Sequence, residues 1–269
     1  MMRKITLIIL CCLTFISCGN TDEQTAQKTD EAVPFMDVVQ EITVVTNDSL
    51  RLTAWFTPSP DSGRAPLIAM LPMLGQTHES YQPFVDSLFK YLKTDTALTG
   101  QVLPHLLNFD LRGHGRSILK GTDSLTYENM SKAEFAKIPD DVGLMILKVI
   151  SAYHVRIDTS KITVIGASIG ANAAVMTTTS LPYISRVVLL SPGTDYRSLM
   201  PADAFKNFTG KTFLATSRAD QYSYETVQRL AALKKKDWIL KIYPRDGHGT
   251  DILKYDIAMR DVIRWIFEK

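Results

Sequence analysis

At 269 residues the chain is long enough for one large domain or two small ones, and 45% apolar against 22% charged residues is the balance of an ordinary globular protein. A formal net charge of +2 gives no field that points to nucleic acid or to an acidic partner. The longest basic run, Lys234-Lys235-Lys236, falls at the end of an expected helix and reads as a solvated terminus. The chain opens differently. Arg3 and Lys4 precede an almost unbroken apolar stretch from Ile5 to Ile16. That stretch is too short to span a bilayer comfortably, and residues 1–17 read as a secretory signal peptide. The three cysteines, Cys11, Cys12 and Cys18, lie in or just after it. Cleavage before Cys18 would leave a single cysteine and no internal disulfide.

Phe15-Ile16-Ser17-Cys18 resembles a bacterial lipobox, with Phe15 standing where leucine is usual. The resemblance implies lipidation of Cys18 and an exported lipoprotein held by its lipid chains to a bacterial membrane, facing the periplasm or the cell surface. A plain signal peptide and an uncleaved anchor are the alternatives. Residues 19 to about 34 are polar and lack an apolar period, so 18–34 reads as the lipidated cysteine and a flexible tether. Without Arg3 and Lys4 the 30 basic residues fall to 28, equal to the 28 acidic ones.

From about residue 35 apolar runs alternate with helical patterns. Val38 to Thr46 and Leu50 to Phe56 predict two strands joined at Asn47-Asp48, a hairpin signal. After a loop from Pro58 to Pro66 come a strand at Leu67 to Leu71, a helix over Glu79 to Leu92 and a strand at His105 to Phe109. An apolar helix over Asp140 to Tyr153 and a strand at Ile162 to Ile165 follow, then a helix over Ala171 to Thr179 and a strand at Arg186 to Leu190. The last elements are a strand at Lys211 to Ala215, a helix over Tyr222 to Leu233, a strand at Trp238 to Tyr243 and a closing helix over Asp251 to Phe267. This alternation predicts one α/β domain over 35–269: a mostly parallel sheet, helices on both faces and an antiparallel N-terminal hairpin.

Gly166-Ala167-Ser168-Ile169-Gly170 follows directly on a predicted strand and opens a helix of small residues, Ala171-Asn172-Ala173-Ala174. A nucleophile on a tight strand-to-helix turn needs tiny neighbours two positions away, because strand and helix nearly touch there. The turn would present Ser168 at the carboxyl edge of the sheet beside a helix amino terminus. Serine needs a base. Of five histidines, His105 and His154 read as structural and His78 stands where it could line a site. His114 sits in the tight turn Asp110-Leu111-Arg112-Gly113-His114-Gly115-Arg116-Ser117, while His248, in Asp246-Gly247-His248-Gly249 after the last strand, is the best base. The acid that fixes its tautomer is Asp220, with Asp195 as competitor; Asp246 is too near along the chain and reads as a turn cap.

Four segments in order resemble the α/β-hydrolase superfamily: Leu71-Pro72-Met73-Leu74-Gly75, the 110–117 turn, Gly166 to Gly170, and Asp246 to Gly249. The resemblance implies the α/β-hydrolase fold over nearly all of 35–269, the triad order Ser168, Asp220, His248, and an architectural role for the 110–117 turn. It implies an oxyanion hole from the backbone N–H groups of Ile169 and of Leu74, with Met73 as runner-up for the second. Here the chain departs from its relatives, many of which carry His-Gly in place of Pro72-Met73. The implied activity is that of a serine hydrolase on a small-molecule acyl substrate, in the carboxylesterase or lipase-like class, without metal or other cofactor. A serine nucleophile also sets the chain apart from relatives that use aspartate on haloalkanes or epoxides. A serine peptidase or acyltransferase with the same triad, and a non-catalytic binding module on the same fold, are the alternatives.

Only about twenty residues separate Leu190 from Lys211, where many such enzymes insert a cap, so a short lid and an open site are expected. Tyr196, Leu199, Met200, Phe205 and Phe208 in that segment are candidate acyl-pocket residues or core. No H-E-x-x-H and no paired-cysteine spacing supports a metalloenzyme.

Overall fold

The computed structural model describes residues 39–233 and 236–268. The expected signal peptide, Cys18, the tether, and Lys234 and Lys235 lie outside them. No helix among the described residues is long and apolar enough to cross a membrane.

The chain enters as an antiparallel hairpin, β1 (Gln40–Val45) and β2 (Leu50–Thr57), turned at Asn47-Asp48 as expected. Strands β3 (Ala65–Leu71), β4 (His105–Asp110), β7 (Ile157–Ala167), β8 (Ile184–Leu190), β9 (Lys211–Ser217) and β10 (Trp238–Tyr243) form the parallel part of the sheet. The order is β10-β9-β8-β7-β3-β4-β2, and β2 runs antiparallel to β4. A two-residue hairpin, β5 (Leu119–Lys120) and β6 (Asp123–Ser124), continues along β2 beyond β4. All eight strands read from the sequence are present. The small hairpin is too short to leave an apolar period.

The pleat divides the core in two. In β3, Leu67, Ala69 and Leu71 face one cluster, while Ile68 and Met70 face the other. The first cluster packs under α3 (Ile138–Ala152), α4 (Ile169–Thr177) and α6 (Gln221–Leu233), through Val142, Met145, Ile146, Val175 and Val227. The second packs under α1 (Gln82–Thr94) and α7 (Asp256–Phe267), through Phe84, Leu88, Met259, Val262 and Ile263. Each fully buried aliphatic side chain contributes about 1.5–3 kcal/mol. That burial on both faces is what holds parallel strands with so few polar side chains.

Two expected helices are divided. A 3-10 turn at His78–Tyr81 precedes α1, where Pro83 stands at the first helical turn, and another at Gly249–Lys254 precedes α7. Two short helices, α2 (Lys132–Phe135) and α5 (Ala202–Asn207), have no counterpart among the expected elements because four to six residues do not complete an amphipathic repeat. The strand expected at 162–165 extends back to Ile157 through a register shift against β3.

Arg112 of the 110–117 turn is 1% exposed and surrounded by carboxylates: Asp141 at 2.6 Å, Glu134 at 2.7 Å and Asp48 at 2.8 Å. It ties the opening hairpin to α2 and α3. Asp110 accepts from the His78 and Arg116 backbone N–H groups, at 2.9 and 2.7 Å, and Ser117 Oγ donates to its carbonyl. The turn is architectural, as expected. Parallel pairing brings the carboxyl ends of β3, β7, β8, β9 and β10 to one edge, where open α/β sheets bind ligands.

Candidate active site

Ser168 occupies the turn between β7 and α4 with φ 54° and ψ −117°. L-residues seldom adopt such angles, which cost about 1–3 kcal/mol and persist only where the surroundings fix them. Here they do. A Cβ on Gly166 would overlap the backbone of Gly170, and one on Gly170 would lie 2.5 Å from the carbonyl oxygens of Leu71 and Pro72. The Ser168 N–H donates to Leu190 O at 2.8 Å, and its carbonyl accepts from Ala171 and Asn172.

The side chains of Ser168, His248 and Asp220 form one hydrogen-bonded line. Ser168 Oγ is 2.8 Å from His248 Nε2, and His248 Nδ1 is 2.7 Å from Asp220 Oδ2. An ionised carboxylate only accepts, so the imidazole carries its proton on Nδ1 and turns the Nε2 lone pair to the serine hydroxyl. Burial pushes the Asp220 carboxyl up, but hydrogen bonds from His248 and Ser223 outweigh it and hold the group below the usual carboxylate range. Ser168 is 6% exposed, whereas the His248 side chain is 41% exposed, so the relay is sheltered at the serine and open above the imidazole.

The competing residues are engaged elsewhere. Asp195 Oδ1 accepts from the Ser198 N–H at 2.7 Å. Asp246 is exposed, and its carbonyl accepts from Tyr255 Oη. His78 stacks on Trp55 at 3.4 Å and meets Asp110 through Nδ1, so it does not line the cavity. His105 accepts from the Ser59 N–H on Nδ1 and donates to Arg156 O from Nε2, which makes it a neutral structural imidazole; burial holds its pKa down. His114 is buried against Tyr127, with Nδ1 on Arg112 O. His154 is exposed near Ser151 O.

A cavity of about 470 Å³ opens over Ser168, walled by Met73, Leu74, Ile169, Tyr196, Arg197 and His248, with Asp195 at its side. Met73 and Leu74, the two candidate oxyanion donors after β3, both line it. Ile169 opens α4, so its N–H belongs to the helix end that has no partner within the helix. Of the expected pocket residues only Tyr196 faces the cavity. Leu199, Phe205 and Phe208 are core, and Met200 is 61% exposed. The connection from β8 to β9 carries only the six-residue α5, so the lid is short as expected. Among the described residues no group of three or more His, Cys, Asp or Glu side chains is arranged to hold a metal ion.

No family model matches the sequence, and no curated protein matches it either. Solved structures do match. An esterase of Pyrococcus furiosus superposes with a TM-score of 0.61 at 16% identity, over 85% of this chain and 88% of that one. Acetyl xylan esterase 1 of Thermoanaerobacterium superposes with a TM-score of 0.61 at 12% identity, over 86% and 84%. The chain has the α/β-hydrolase fold. Within that fold the acylaminoacyl peptidase of Pyrococcus horikoshii is also similar, with a TM-score of 0.58 at 13% identity, over 85% of this chain but 40% of that one.

One residue of the α/β-hydrolase site is not legible from the motifs. Asn172, fully buried one helical turn after Ser168, donates from Nδ2 to Gly193 O at 2.9 Å and to Leu199 O at 2.7 Å, and accepts from the Gly193 N–H at 3.0 Å. It fixes the loop that carries Tyr196. Its one sequence signal is a polar residue among alanines on a helix that otherwise packs on every side.

Proposed function

We propose that the protein is a serine hydrolase that cleaves a carboxylic ester through Ser168, His248 and Asp220. The observation that carries the reading is the unbroken line from Ser168 Oγ through both imidazole nitrogens to Asp220, at 2.8 and 2.7 Å, with the serine held in a strained turn. Ser168 Oγ attacks the acyl carbon as His248 Nε2 takes its proton. Asp220 stays ionised and stabilises the imidazolium. The carbonyl oxygen gathers negative charge against the N–H of Ile169 and a second donor from Leu74, with Met73 as the neighbouring alternative. His248 then returns the proton to the departing alkoxide, leaving an acyl-serine. A water molecule, deprotonated by the same imidazole, releases the acid and restores the hydroxyl.

Two esterases share the fold across more than four fifths of both chains, which supports an ester over an amide. The peptidase neighbour is more than twice as long as the part this chain matches. The test is fluorophosphonate labelling of wild type beside Ser168→Ala, followed by ester, peptide and alcohol-acceptor assays. Labelling that depends on Ser168, with esters turned over fastest, is the expected result. Labelling that persists in Ser168→Ala removes the nucleophile assignment, and faster peptide turnover replaces the esterase reading by a peptidase.

The proposal extends to the leader: Cys18 carries the lipid that holds the enzyme at a bacterial membrane. Metabolic labelling with a fatty-acid analogue is expected in wild type and absent in Cys18→Ser. Equal labelling of both overturns it.

A further inference from the structure

The wall of the cavity over Ser168 includes an exposed cation that no described carboxylate pairs. Arg197 lines the cavity, and among the described residues it has no hydrogen bond and no carboxylate within ion-pair distance. Its guanidinium lies 5.6 Å from the centre of the buried Phe135 ring. The ring holds the group by a cation–π contact, and the residue is otherwise exposed to solvent. Arg112, fully buried, shows the contrary case, with three carboxylates around it.

The backbone that presents Arg197 is strained. Arg197 and Ser198 both have left-handed φ, 55° and 79°, which favours glycine, and neither is one. Four sets of bonds impose it: Asn172 on Gly193 and Leu199, Asp195 Oδ1 on the Ser198 N–H, the paired backbones of Tyr196 and Leu199, and Tyr222 Oη on both the N–H and the carbonyl of Asp195. Two left-handed residues in a row between the paired Tyr196 and Leu199 are the geometry of a tight two-residue hairpin turn. The bonds hold this turn in place, and its first central residue, Arg197, belongs to the wall of the cavity that opens over Ser168.

We propose that Arg197 is a specificity-determining residue that binds a carboxylate on the substrate, so that the preferred substrates are esters carrying an acid group on the acyl or alcohol part. The inference rests on the esterase reading of this same cavity. A planar guanidinium with free N–H groups takes a carboxylate through two parallel hydrogen bonds. Neither nearby carboxylate pairs with it: Asp220 is hydrogen-bonded to His248, and Asp195 Oδ1 accepts from the Ser198 N–H. Because Asp195 is a neighbouring negative charge, it weakens binding of the acid group.

The test compares 4-nitrophenyl hydrogen glutarate with 4-nitrophenyl valerate, and the butyrate ester of 4-hydroxybenzoate with that of its methyl ester. The quantity read is the ratio of kcat/KM for the acidic over the neutral ester, in which a general loss of activity cancels. In at least one series the ratio is expected to fall roughly ten-fold in Arg197→Gln, further in Arg197→Glu, and less in Arg197→Lys, mostly through KM. It is expected to rise in Asp195→Asn, and the wild-type ratio to fall with added salt. Calorimetry of glutarate on Ser168→Ala protein gives a readout without turnover, with binding lost in the double variant Ser168→Ala/Arg197→Gln. Turnover that requires Ser168, with ratios unmoved in both series by Arg197→Gln, overturns the role of Arg197 and leaves the esterase reading standing. Glutarate binding that requires Arg197, with no ester turned over, does the reverse.

Discussion

Asp220→Asn changes almost nothing in shape and much in proton placement. The carboxylate accepts from His248 Nδ1 at 2.7 Å. An amide there can turn its Nδ2 toward the ring, and the imidazole then keeps its proton on Nε2, leaving the Ser168 hydroxyl 2.8 Å away without an acceptor. The imidazolium formed during attack also loses its counter-charge. At a charge separation of about 4 Å and an effective dielectric near 20 that attraction is about 4 kcal/mol, and solvent over the half-exposed ring reduces it. The tautomer penalty adds to what remains. At about 1.4 kcal/mol per decade, kcat is expected to fall on the order of 10³-fold. Asp195→Asn removes an exposed group bonded to Ser198 and is expected to change kcat on a neutral ester only a few-fold. Steady-state kinetics on one neutral ester, with urea unfolding to establish that both variants are folded, makes the comparison. A larger loss in Asp195→Asn, or an Asp220→Asn enzyme within ten-fold of wild type, would refute the assignment of the acid.

Asn172→Ala removes three buried hydrogen bonds and leaves two carbonyls and an N–H of the 193–199 loop without partners, so unfolding free energy in urea should fall by about 3–5 kcal/mol; a fall below about 1 kcal/mol would mean that water replaces the amide. Gly166→Ala forces its Cβ into the backbone of Gly170 and displaces the turn, so kcat should drop on the order of 10²-fold or more in protein that still shows a cooperative melt; near-normal kcat would show that the close approach is not needed. Asp48, hydrogen-bonded by Arg112, and Glu134, where bonds from Lys120 and Lys137 outweigh burial, are both held below their ordinary values. Their folded pKa values lie below the unfolded ones of about 4, so their stabilisation is complete above that pH and is lost as pH falls through the folded values. Arg112→Met should therefore flatten the dependence of stability on pH below about 5, and an unchanged acid profile would exclude the network as its source.

The sequence made the sheet and the hydrogen-bonded line of Ser168, His248 and Asp220 legible for a physical reason: each of those features is local. Buried parallel strands are short and rich in apolar residues, as in the runs Leu67 to Leu71 of β3 and Val187 to Leu190 of β8. A nucleophile turn needs its glycines at fixed offsets, and Gly166 and Gly170 are two residues either side of Ser168. His248 and Asp220 were readable because each follows a strand and so reaches the same edge. What stayed hidden depends on partners distant in the chain. Asn172 acts on residues 21 and 27 positions away, and nothing in its own helix names them. Phe205 and Phe208 carry the composition of an acyl pocket, yet they pack into the core under α4 and α6, because short helices have too few positions to spare an aromatic for solvent.

The wall of the cavity explains how a chain with so short a lid can still hold a defined site. The segment after β8 has only α5 and cannot enclose anything. Shape has to come from below. Helix α4 supplies it twice: its first residue, Ile169, offers an N–H beside Ser168, and its fourth, Asn172, bonds the loop bearing Tyr196 and Arg197. The proposed nucleophile, the proposed oxyanion donor and the loop proposed to set specificity are thereby referred to one nine-residue helix that is buried almost throughout. A helix of alanines and glycine can lie that close to the sheet only because it has no bulk, and it can anchor a loop only by giving one of those positions to a polar side chain. The low bulk serves the turn and the single amide serves the wall. Substrate selection should accordingly respond more strongly to changes along α4 and residues 193–199 than to any change in α5.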